Sequence, residues 1–228
     1  MSKCVLLVED DVVIRHNFVD ALESEGFTVR ACSDRQSAQA VCNDQLPDLA
    51  LLDITLGDDY EGGFVLCSEL RARSETLPII FLTSHSNDVD RISAMRLGAD
   101  DYITKDISID YLIVRIRALF RRIEALGRHN RKASMGAAKL SINEESLEAH
   151  WLGQRIDISL TQFWILRTLA GEPGRVWRAE ELMAAANITV EPNTIVAHMA
   201  EIRRKIRAID DSFKGIKTER GVGYRWIG

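Results

Sequence analysis

The chain has 228 residues, of which 46% are hydrophobic and 28% are charged, so we expect a soluble globular protein with one large domain or two modest ones. The longest apolar runs, Leu49–Leu52 and Pro78–Leu82, are far shorter than the roughly 20 residues of a membrane-spanning helix. The four cysteines show no CxxC spacing, which argues against a zinc site or a disulfide framework, and the N-terminus lacks a secretory layout. A cytoplasmic protein is therefore the expectation.

Acidic residues are concentrated in the first half of the chain. Residues 1–122 contain 21 Asp and Glu against 13 Lys and Arg, whereas residues 139–228 contain 12 against 13. Between them, residues 123–138 carry three basic residues and one acidic residue, with little apolar periodicity. This difference predicts two domains, 1–122 and 139–228, joined by a linker over 123–138.

Short apolar runs alternate with helical patterns through the first domain. The predicted strands are Cys4–Val8, Thr28–Ala31, Leu49–Asp53, Ile79–Thr83 and Tyr102–Thr104, and the helices between them include Val12–Ser24, Gln36–Asn43, Phe64–Arg73 and Val89–Leu97. Strands that are apolar on both faces and separated by helices predict an α/β doubly wound fold with a five-stranded parallel sheet. Ligands of such folds bind at the carboxyl ends of the strands.

Polar side chains stand at those carboxyl ends. Glu9 and Asp10 follow the first strand, Asp53 ends the third, Thr83 ends the fourth and Lys105 follows the fifth. Converging carboxylates repel one another unless a hard cation is present, and oxygen ligands of this kind suit Mg²⁺. A carboxylate beside the metal can attack phosphorus to form an aspartyl-phosphate, while Thr83 and Lys105 can bind phosphoryl oxygens.

The first domain resembles a bacterial response-regulator receiver domain along its whole length. The motifs that carry the resemblance are Leu7-Val8-Glu9-Asp10, Leu51-Leu52-Asp53, Phe81-Leu82-Thr83-Ser84 and Leu97-Gly98-Ala99-Asp100-Asp101-Tyr102-Ile103-Thr104-Lys105. The resemblance implies a flavodoxin-like fold in which a sensor histidine kinase phosphorylates Asp53. It also implies Mg²⁺ held by Asp10, Asp53 and the Thr55 carbonyl, with Glu9 acting through water.

A conformational switch and a dimer follow from the same resemblance. Thr83 and Tyr102 are the expected switch pair, with Thr83 moving to the phosphate and Tyr102 turning inward. Phosphorylation is expected to promote a homodimer that uses reciprocal salt bridges on a face containing Arg91, Asp100, Asp101, Arg115 and Arg117. Tyr111 stands on this face where the family usually has an acid.

Two features depart from the receiver pattern. Lys105 is followed by Asp106, whereas the family usually has Lys-Pro with a cis peptide, so this peptide is either strained or trans. The loop Leu56–Gly63 is longer than usual and adds three acids, Asp58, Asp59 and Glu61. These acids are either simply solvated or tune partner choice and phosphate lifetime.

The pattern of the second domain predicts a smaller α+β winged helix-turn-helix fold. Its expected strands are Lys139–Asn143, Leu147–Trp151 and Arg155–Ile158, and its terminal hairpin pairs Ile216–Glu219 with Tyr224–Ile227. Three helices are expected, from the capping box of Ser159 and Gln162 to Ala170, over Ala179–Ala186, and from Pro192. In the third helix, spacings of three and four predict a buried stripe of Ile195, Met199, Ile202, Ile206 and Ile209.

Residues 139–228 resemble the effector domain of OmpR/PhoB-family response regulators. The matching residues are Glu172-Pro173-Gly174-Arg175-Val176, His198, Arg203-Arg204-Lys205-Ile206 and Ile216-Lys217-Thr218-Glu219-Arg220-Gly221-Val222-Gly223-Tyr224-Arg225. The resemblance implies that the third helix enters the major groove of double-stranded DNA and that the hairpin wing touches the minor groove. It also implies that the loop Asn187–Glu191 meets RNA polymerase.

The residues expected to contact DNA lie on the third helix and on the wing. With the apolar stripe inward, the outward positions are Asn193, Ala197, Ala200, Glu201, Arg204 and Arg207. Arg204 suits guanine, Asn193 suits adenine or a phosphate, and Glu201 suits cytosine. Further candidates for backbone or groove contacts are Thr194, His198, Arg203, Lys217, Thr218, Arg220 and Tyr224. Ala200 and Glu201 stand where basic residues are common, and a domain net charge of only +1 predicts weak non-specific binding.

The resulting hypothesis is a phosphorylation-switched regulator of transcription that is not an enzyme. Three alternatives stay open. The C-terminal domain acts mainly as a protein-interaction module, or the chain hydrolyses phosphate with Asp58 or Asp59 as general acid, or the receiver is never phosphorylated.

Overall fold

The computed structural model describes residues 2–85, 87–126, 139–186 and 192–228, with the backbone alone for 122–126 and 192–193. The chain divides into two compact units, 1–114 and 115–228. The division falls inside one helix, Ile109–Leu126, so the first residues of the expected linker are helical. The rest of that linker, 127–138, lies outside the described residues.

The N-terminal unit is built around a parallel sheet whose strand order is β2-β1-β3-β4-β5. Its elements in chain order are β1 (Cys4–Val8), α1 (Val12–Ser24), β2 (Thr28–Cys32), α2 (Arg35–Asp44), β3 (Leu49–Leu52), α3 (Gly62–Arg73), β4 (Ile79–Thr83), α4 (Asp88–Arg96) and β5 (Asp101–Thr104), after which α5 (Ile109–Leu126) crosses the division. The central strands are buried on both faces, since the residues of Val5–Val8 and Leu49–Leu52 are at most 1% exposed. The predicted fold class is confirmed.

Asp11, beside the acidic edge of the sheet, serves the fold of the first helix. Its carboxylate accepts hydrogen bonds from the amides of Val13 and Ile14, at 2.8 and 2.9 Å. The bond from Ile14 is the main reason why the pKa of Asp11 lies below its ordinary value. Asp11 is therefore the N-cap of α1.

From residue 139 onward, the described part of the C-terminal unit forms three helices and two small antiparallel sheets. Its elements are β6 (Leu140–Asn143), β7 (Glu148–Trp151), β8 (Gln154–Ile156), α6 (Leu160–Gly171), β9 (Val176–Trp177), α7 (Ala179–Ala185), α8 (Pro192–Ile209), β10 (Ile216–Glu219) and β11 (Gly223–Trp226). The sheets have the orders β6-β7-β8 and β10-β11-β9. This is the predicted winged-helix arrangement.

Two local differences from the predicted strands have simple causes. The two-residue strand β9 was not predicted, because it is held by its pairing with β11 rather than by any pattern of its own. Leu147 does not begin β7, because its φ of 57° places it in the turn before that strand.

The core of the C-terminal unit includes the apolar stripe of α8. Ile195, Met199, Ile202 and Ile206 are all 0% exposed, as predicted from their spacing, whereas Ile209 is half-buried. At the start of α6, the Gln162 side chain accepts a hydrogen bond from the Ser159 amide at 3.2 Å, as a capping box requires. None of the helices in the described ranges combines the length and the apolar composition of a membrane span.

Candidate functional sites

One candidate site lies at the carboxyl edge of the parallel sheet. Glu9 directly follows β1, Asp53 follows β3, Thr83 ends β4 and Lys105 follows β5. Glu9, Asp53 and Thr83 are at most 7% exposed. Because all the strands run in the same direction, residues that are far apart in sequence meet at this edge.

Lys105 joins the two buried carboxylates. Its Nζ lies 2.5 Å from an oxygen of Asp53 and 2.7 Å from an oxygen of Glu9. Burial raises the pKa of Glu9, and the hydrogen bond and charge of Lys105 offset this only in part. Burial alone would lower the pKa of Lys105, but its hydrogen bonds to Asp53 and Glu9 outweigh burial and raise it. The site therefore holds a charged ammonium group against Asp53.

The oxygen atoms at this edge match the preferences of a hard cation. One carboxylate oxygen from each of Glu9, Asp10 and Asp53 lies within 4.8 Å of the other two. Two residues after Asp53, the buried Thr55 Oγ1 has no hydrogen-bond partner among the described residues. Carboxylate, hydroxyl and carbonyl oxygens are ligands that Mg²⁺ accepts, so the donor set fits this ion.

Thr83 and Tyr102 are connected through a residue that the sequence analysis did not identify. The Tyr102 hydroxyl donates to the His85 carbonyl oxygen at 2.7 Å, and the His85 amide donates to Thr83 Oγ1 at 3.2 Å. Tyr102 is 1% exposed, so its ring faces inward, and this burial raises its pKa. The His85 ring lies 2.7 Å from an Asp90 oxygen. The one sequence signal for His85 is its position two residues after β4.

The long loop after β3 approaches the acidic cluster through its backbone. The Gly57 amide donates to an Asp10 oxygen at 3.1 Å. Of the three added acids, Asp59 pairs with Arg35 at 3.1 Å, while Asp58 and Glu61 are exposed. Later in the chain, the peptide between Lys105 and Asp106 is trans.

Gly63, the second residue of α3, packs directly against the phosphoacceptor candidate. A Cβ atom at this position would lie 1.8 Å from the carbonyl oxygen of Asp53. The Gly63 amide also donates to the Ile54 carbonyl oxygen at 2.9 Å. The loop can return to Asp53 because this residue has no side chain.

Three members of the expected dimer face are buried in this structure. Asp100 is 1% exposed, and its carboxylate accepts hydrogen bonds from Arg71 at 3.2 Å and from the Ile79 amide at 3.1 Å. Asp101 and Arg115 are also buried, at 4% and 2% exposure. Packing within the chain covers all three side chains in this structure, and their role in the dimer expected after phosphorylation stays a prediction.

The remaining members of that face are more accessible. Arg117 is exposed and Arg91 is half-buried. Arg91 lies 3.4 Å from Asp88, and its guanidinium is 5.5 Å from the centre of the Tyr102 ring. Arg91 therefore contacts the predicted switch residue.

A second candidate site is the outer face of α8. Val196 is 59% exposed and Ala200 is exposed, whereas Thr194 and His198 are 0% exposed and Glu201 is 3% exposed. The outward orientation expected for Glu201 is wrong, because its side chain points into the domain. Thr194 and His198 are also buried here, and their expected DNA contacts stay predictions. The side chain of Asn193 lies outside the described residues, as does the loop 187–191 in which a polymerase contact was expected.

The buried carboxylate of Glu201 holds the outward-facing Arg204. Both guanidinium contacts are short, with Arg204 Nε at 2.9 Å and a terminal nitrogen at 2.6 Å from the two Glu201 oxygens. Lys205 lies farther away, at 3.9 Å from Glu201. Arg204 itself remains 60% exposed, so it is both available to DNA and fixed in direction.

The wing is tied to α8 through Arg203. Its guanidinium donates to the Ile216 carbonyl oxygen at 3.2 Å and to Thr218 Oγ1 at 2.7 Å, and lies 5.8 Å from the centre of the Tyr224 ring. Tyr224 is 8% exposed and its ring belongs to the packing of the wing, while its expected DNA contact stays a prediction. The exposed candidates on the wing are Lys217, Thr218 and Arg220.

Comparison with protein families identifies both halves of the chain. Residues 5–117 match the response regulator receiver domain, and residues 153–226 match the C-terminal domain of transcriptional regulatory proteins. The second match favours a DNA-binding domain over a protein-interaction module. Receiver domains bind Mg²⁺ through acidic residues and partner with histidine kinases.

Full-length relatives show the same arrangement. The transcriptional regulatory protein CreB of Escherichia coli is 34% identical over 224 residues, which cover 96% of each chain. The phosphate regulon regulator PhoB of Klebsiella pneumoniae is 31% identical and covers 99% of this chain and 98% of its own.

Among solved structures, a RitR mutant is 26% identical and gives a TM-score of 0.78 with complete coverage of both chains. DrrB, an OmpR/PhoB homologue of Thermotoga maritima, is 25% identical with a TM-score of 0.52. The receiver match precedes the C-terminal match, as the two sites do in the structure. The relatives extend over nearly the whole chain. The chain belongs to the OmpR/PhoB family of two-component response regulators, in which a receiver domain precedes a DNA-binding domain that regulates transcription.

Proposed function

We propose that Asp53 accepts a phosphoryl group from a sensor histidine kinase and that this modification controls DNA binding. The observation that carries the proposal is the pairing of the Asp53 carboxylate with Lys105 Nζ, at 2.5 Å, on the acidic edge of the sheet. In the transfer, an Asp53 oxygen bonds to phosphorus while the bond from phosphorus to the kinase histidine nitrogen breaks, and the electron pair stays with that nitrogen. Lys105 and Thr83 then bind phosphoryl oxygens.

The same proposal assigns a Mg²⁺ site to Asp10, Asp53 and the Thr55 carbonyl, with Glu9 acting through water. The ion would offset the negative charge that the phosphoryl oxygens add beside these carboxylates. Support comes from the close approach of the Glu9, Asp10 and Asp53 oxygens.

The test is phosphorylation by acetyl phosphate in the presence of Mg²⁺, measured by intact-protein mass. We expect the gain of one phosphoryl group in the natural chain and none in Asp53→Asn. Asp58→Asn is the matched control, because Asp58 is an exposed acid on the adjacent loop and lies outside the cluster. A gain of mass in Asp53→Asn, or none in the natural chain with either acetyl phosphate or an active cognate kinase, would contradict the proposal.

Two functional alternatives are separated by related measurements. An enzyme that uses Asp58 or Asp59 would release phosphate from added phosphomonoesters over many turnovers without a kinase, whereas we propose that the chain is not an enzyme. A receiver that is never phosphorylated would give the same transcriptional output with Asp53→Ala as with the natural residue.

We further propose that DNA contacts come from Arg203, Arg204, Lys217, Thr218 and Arg220, with Asn193, Thr194, His198 and Tyr224 as remaining predictions. Support comes from an open cavity between α8 and the wing, whose lining includes Arg203, Arg207, Lys214 and Lys217. Such a basic cavity suits a backbone phosphate. The test is the salt dependence of DNA affinity, because Lys217→Ala should lower the slope of log affinity against log salt by about one unit if it contacts a phosphate.

Phosphorylation is proposed to promote homodimerisation of the receiver through a face that contains Arg91, Asp100, Asp101, Arg115 and Arg117. The measurement is sedimentation of the full chain with Mg²⁺, with and without beryllofluoride as a phosphoryl mimic. The same proposal includes a contact of 187–191 with RNA polymerase and a cytoplasmic location, which suits a DNA-binding regulator. It also keeps the domain boundaries 1–122 and 139–228, with a linker over 123–138.

A further inference from the structure

We propose that α8 reads thymine through its C5-methyl groups, with Val196 and Ala200 as the reading side chains. This inference rests on the proposed DNA contact of α8 and specifies the base that is recognised. It assigns roles to two residues that carry no hydrogen-bonding group in their side chains.

The observation behind it is the composition of the exposed face of α8. Over 194–202, which is described in full, the side chains that are exposed or half-buried are Val196, Ala197 and Ala200. The polar side chains of this stretch, Thr194, His198 and Glu201, are at most 3% exposed. Over 194–202 the exposed face of α8 is therefore apolar.

The chemistry of the major groove then selects the base. The C5-methyl of thymine is the one apolar group that the four base pairs present there, whereas the other edges offer donors and acceptors that an apolar side chain would leave without a partner. An exposed valine and an exposed alanine thus favour thymine over the other bases at the positions they meet.

Charge identifies DNA as the occupant rather than an apolar protein surface. The apolar row is continued at Arg204, one helical turn beyond Ala200, and the exposed Arg207, Lys214 and Lys217 lie nearby on α8, the following loop and the wing. A partner at this face must carry negative charge next to apolar groups, and a thymine-containing major groove between phosphate backbones does so.

The spacing of the row limits where the thymines lie. From Val196 to Arg204 the helix rises about 12 Å, which corresponds to three or four base pairs. Val196 and Ala200 are about 6 Å apart along the helix, so the thymines they read should lie within about two base pairs of each other.

The test is a selection from a random-sequence duplex library that is amplified in parallel with dTTP and with dUTP. Uracil lacks only the C5-methyl, which lies in the major groove, so minor-groove contacts of the wing are left unchanged. Full-length protein is used with Mg²⁺ and beryllofluoride, followed by titration of the enriched duplex with uracil placed at single thymine positions.

We expect a half-site with at least one thymine at which uracil weakens binding about fourfold, corresponding to about 0.8 kcal/mol for one methyl group. Val196→Ala should reduce this discrimination between thymine and uracil at one position, because it removes two methyl groups from the contact. Val65→Ala, a change of an exposed valine on receiver helix α3, should leave it intact. Val196 is solvent-exposed, so the variant is expected to fold, and its melting curve checks this.

The outcomes separate the inference from the function on which it rests. An enriched site that binds equally well with uracil, or a Val196→Ala variant that keeps the full discrimination, would overturn the methyl readout while leaving DNA binding intact. No enrichment in either library, with beryllofluoride shown to be bound, would overturn both.

Discussion

Removing Arg204 should destabilise the DNA-binding domain as well as weaken its DNA contact. In Arg204→Ala, the buried Glu201 carboxylate loses two charge-assisted hydrogen bonds, of 2.9 and 2.6 Å. Lys205 then remains beside this carboxylate, at 3.9 Å. A carboxylate that is 3% exposed cannot recover its hydration without local rearrangement.

The expected cost is about 2 kcal/mol of unfolding free energy. Hydrogen bonds to charged groups contribute about 1.5–3 kcal/mol each, but solvent around the 60% exposed Arg204 screens the pair and lowers the sum below the roughly 3 kcal/mol minimum of two such bonds. For a domain of this size such a loss lowers the melting temperature by about 10 °C.

Tryptophan fluorescence is a specific assay for this transition. All four tryptophans of the chain lie in the C-terminal unit, at Trp151, Trp164, Trp177 and Trp226. Urea unfolding of the full-length chain, followed by fluorescence, therefore reports the stability of the DNA-binding domain.

The double variant Glu201→Gln/Arg204→Ala separates the two roles of Arg204. Without the carboxylate there is no buried charge to leave uncompensated, so at least half of the lost stability should return while the DNA contact stays absent. If Arg204→Ala is as stable as the natural chain, or if the double variant is as unstable as the single one, the proposed support of Glu201 by Arg204 is refuted.

Two further predictions concern backbone packing and pH. Gly63→Ala should lower the unfolding free energy of the receiver by about 3 kcal/mol or more, because its Cβ would lie 1.8 Å from the Asp53 carbonyl oxygen. The control is Gly171→Ala, whose Cβ would meet nothing within 4 Å and which should change the unfolding free energy by less than about 1 kcal/mol. Both variants are measured by circular dichroism in urea. The pKa of Asp210 is lowered from its ordinary 3.8, first by a hydrogen bond from the Ser212 hydroxyl and then by one from the Trp151 indole. The ionised Asp210 therefore stabilises the fold above the ordinary pKa, and this stabilisation is lost as the pH falls through the pKa of Asp210 in the folded state. Asp210→Asn should remove that part of the acid dependence of the fluorescence transition, and an unchanged pH profile would contradict the assignment.

Much of the receiver site was predictable because parallel strands place their carboxyl ends at one edge. The positions of Glu9, Asp53 and Lys105 at strand ends were sufficient to predict their meeting. The link of Tyr102 to Thr83 through His85 was not predictable, because it depends on the path of the loop after β4 and uses backbone atoms that every residue has.

The exposed face of α8 shows the same limit. Periodicity correctly assigned the inward positions of Ile195, Met199, Ile202 and Ile206. It did not predict the burial of Glu201, which lies at the border of the stripe, since a charged residue there is buried only if a cation covers it. Arg204 supplies that cation in this structure.

The order of apolar, polar and turn residues was enough to define two domains of known fold class and to place an acidic cluster and a basic helix within them, because hydrophobic periodicity is a local property of the chain. Tertiary packing decided which charges remain available. Asp100 is buried because Arg71, 29 residues earlier, pairs with it. Val196 and Ala200 form the open face of α8 because its polar neighbours turn inward. The free energy of a charged or polar side chain depends on partners from distant parts of the sequence, and no local pattern encodes them.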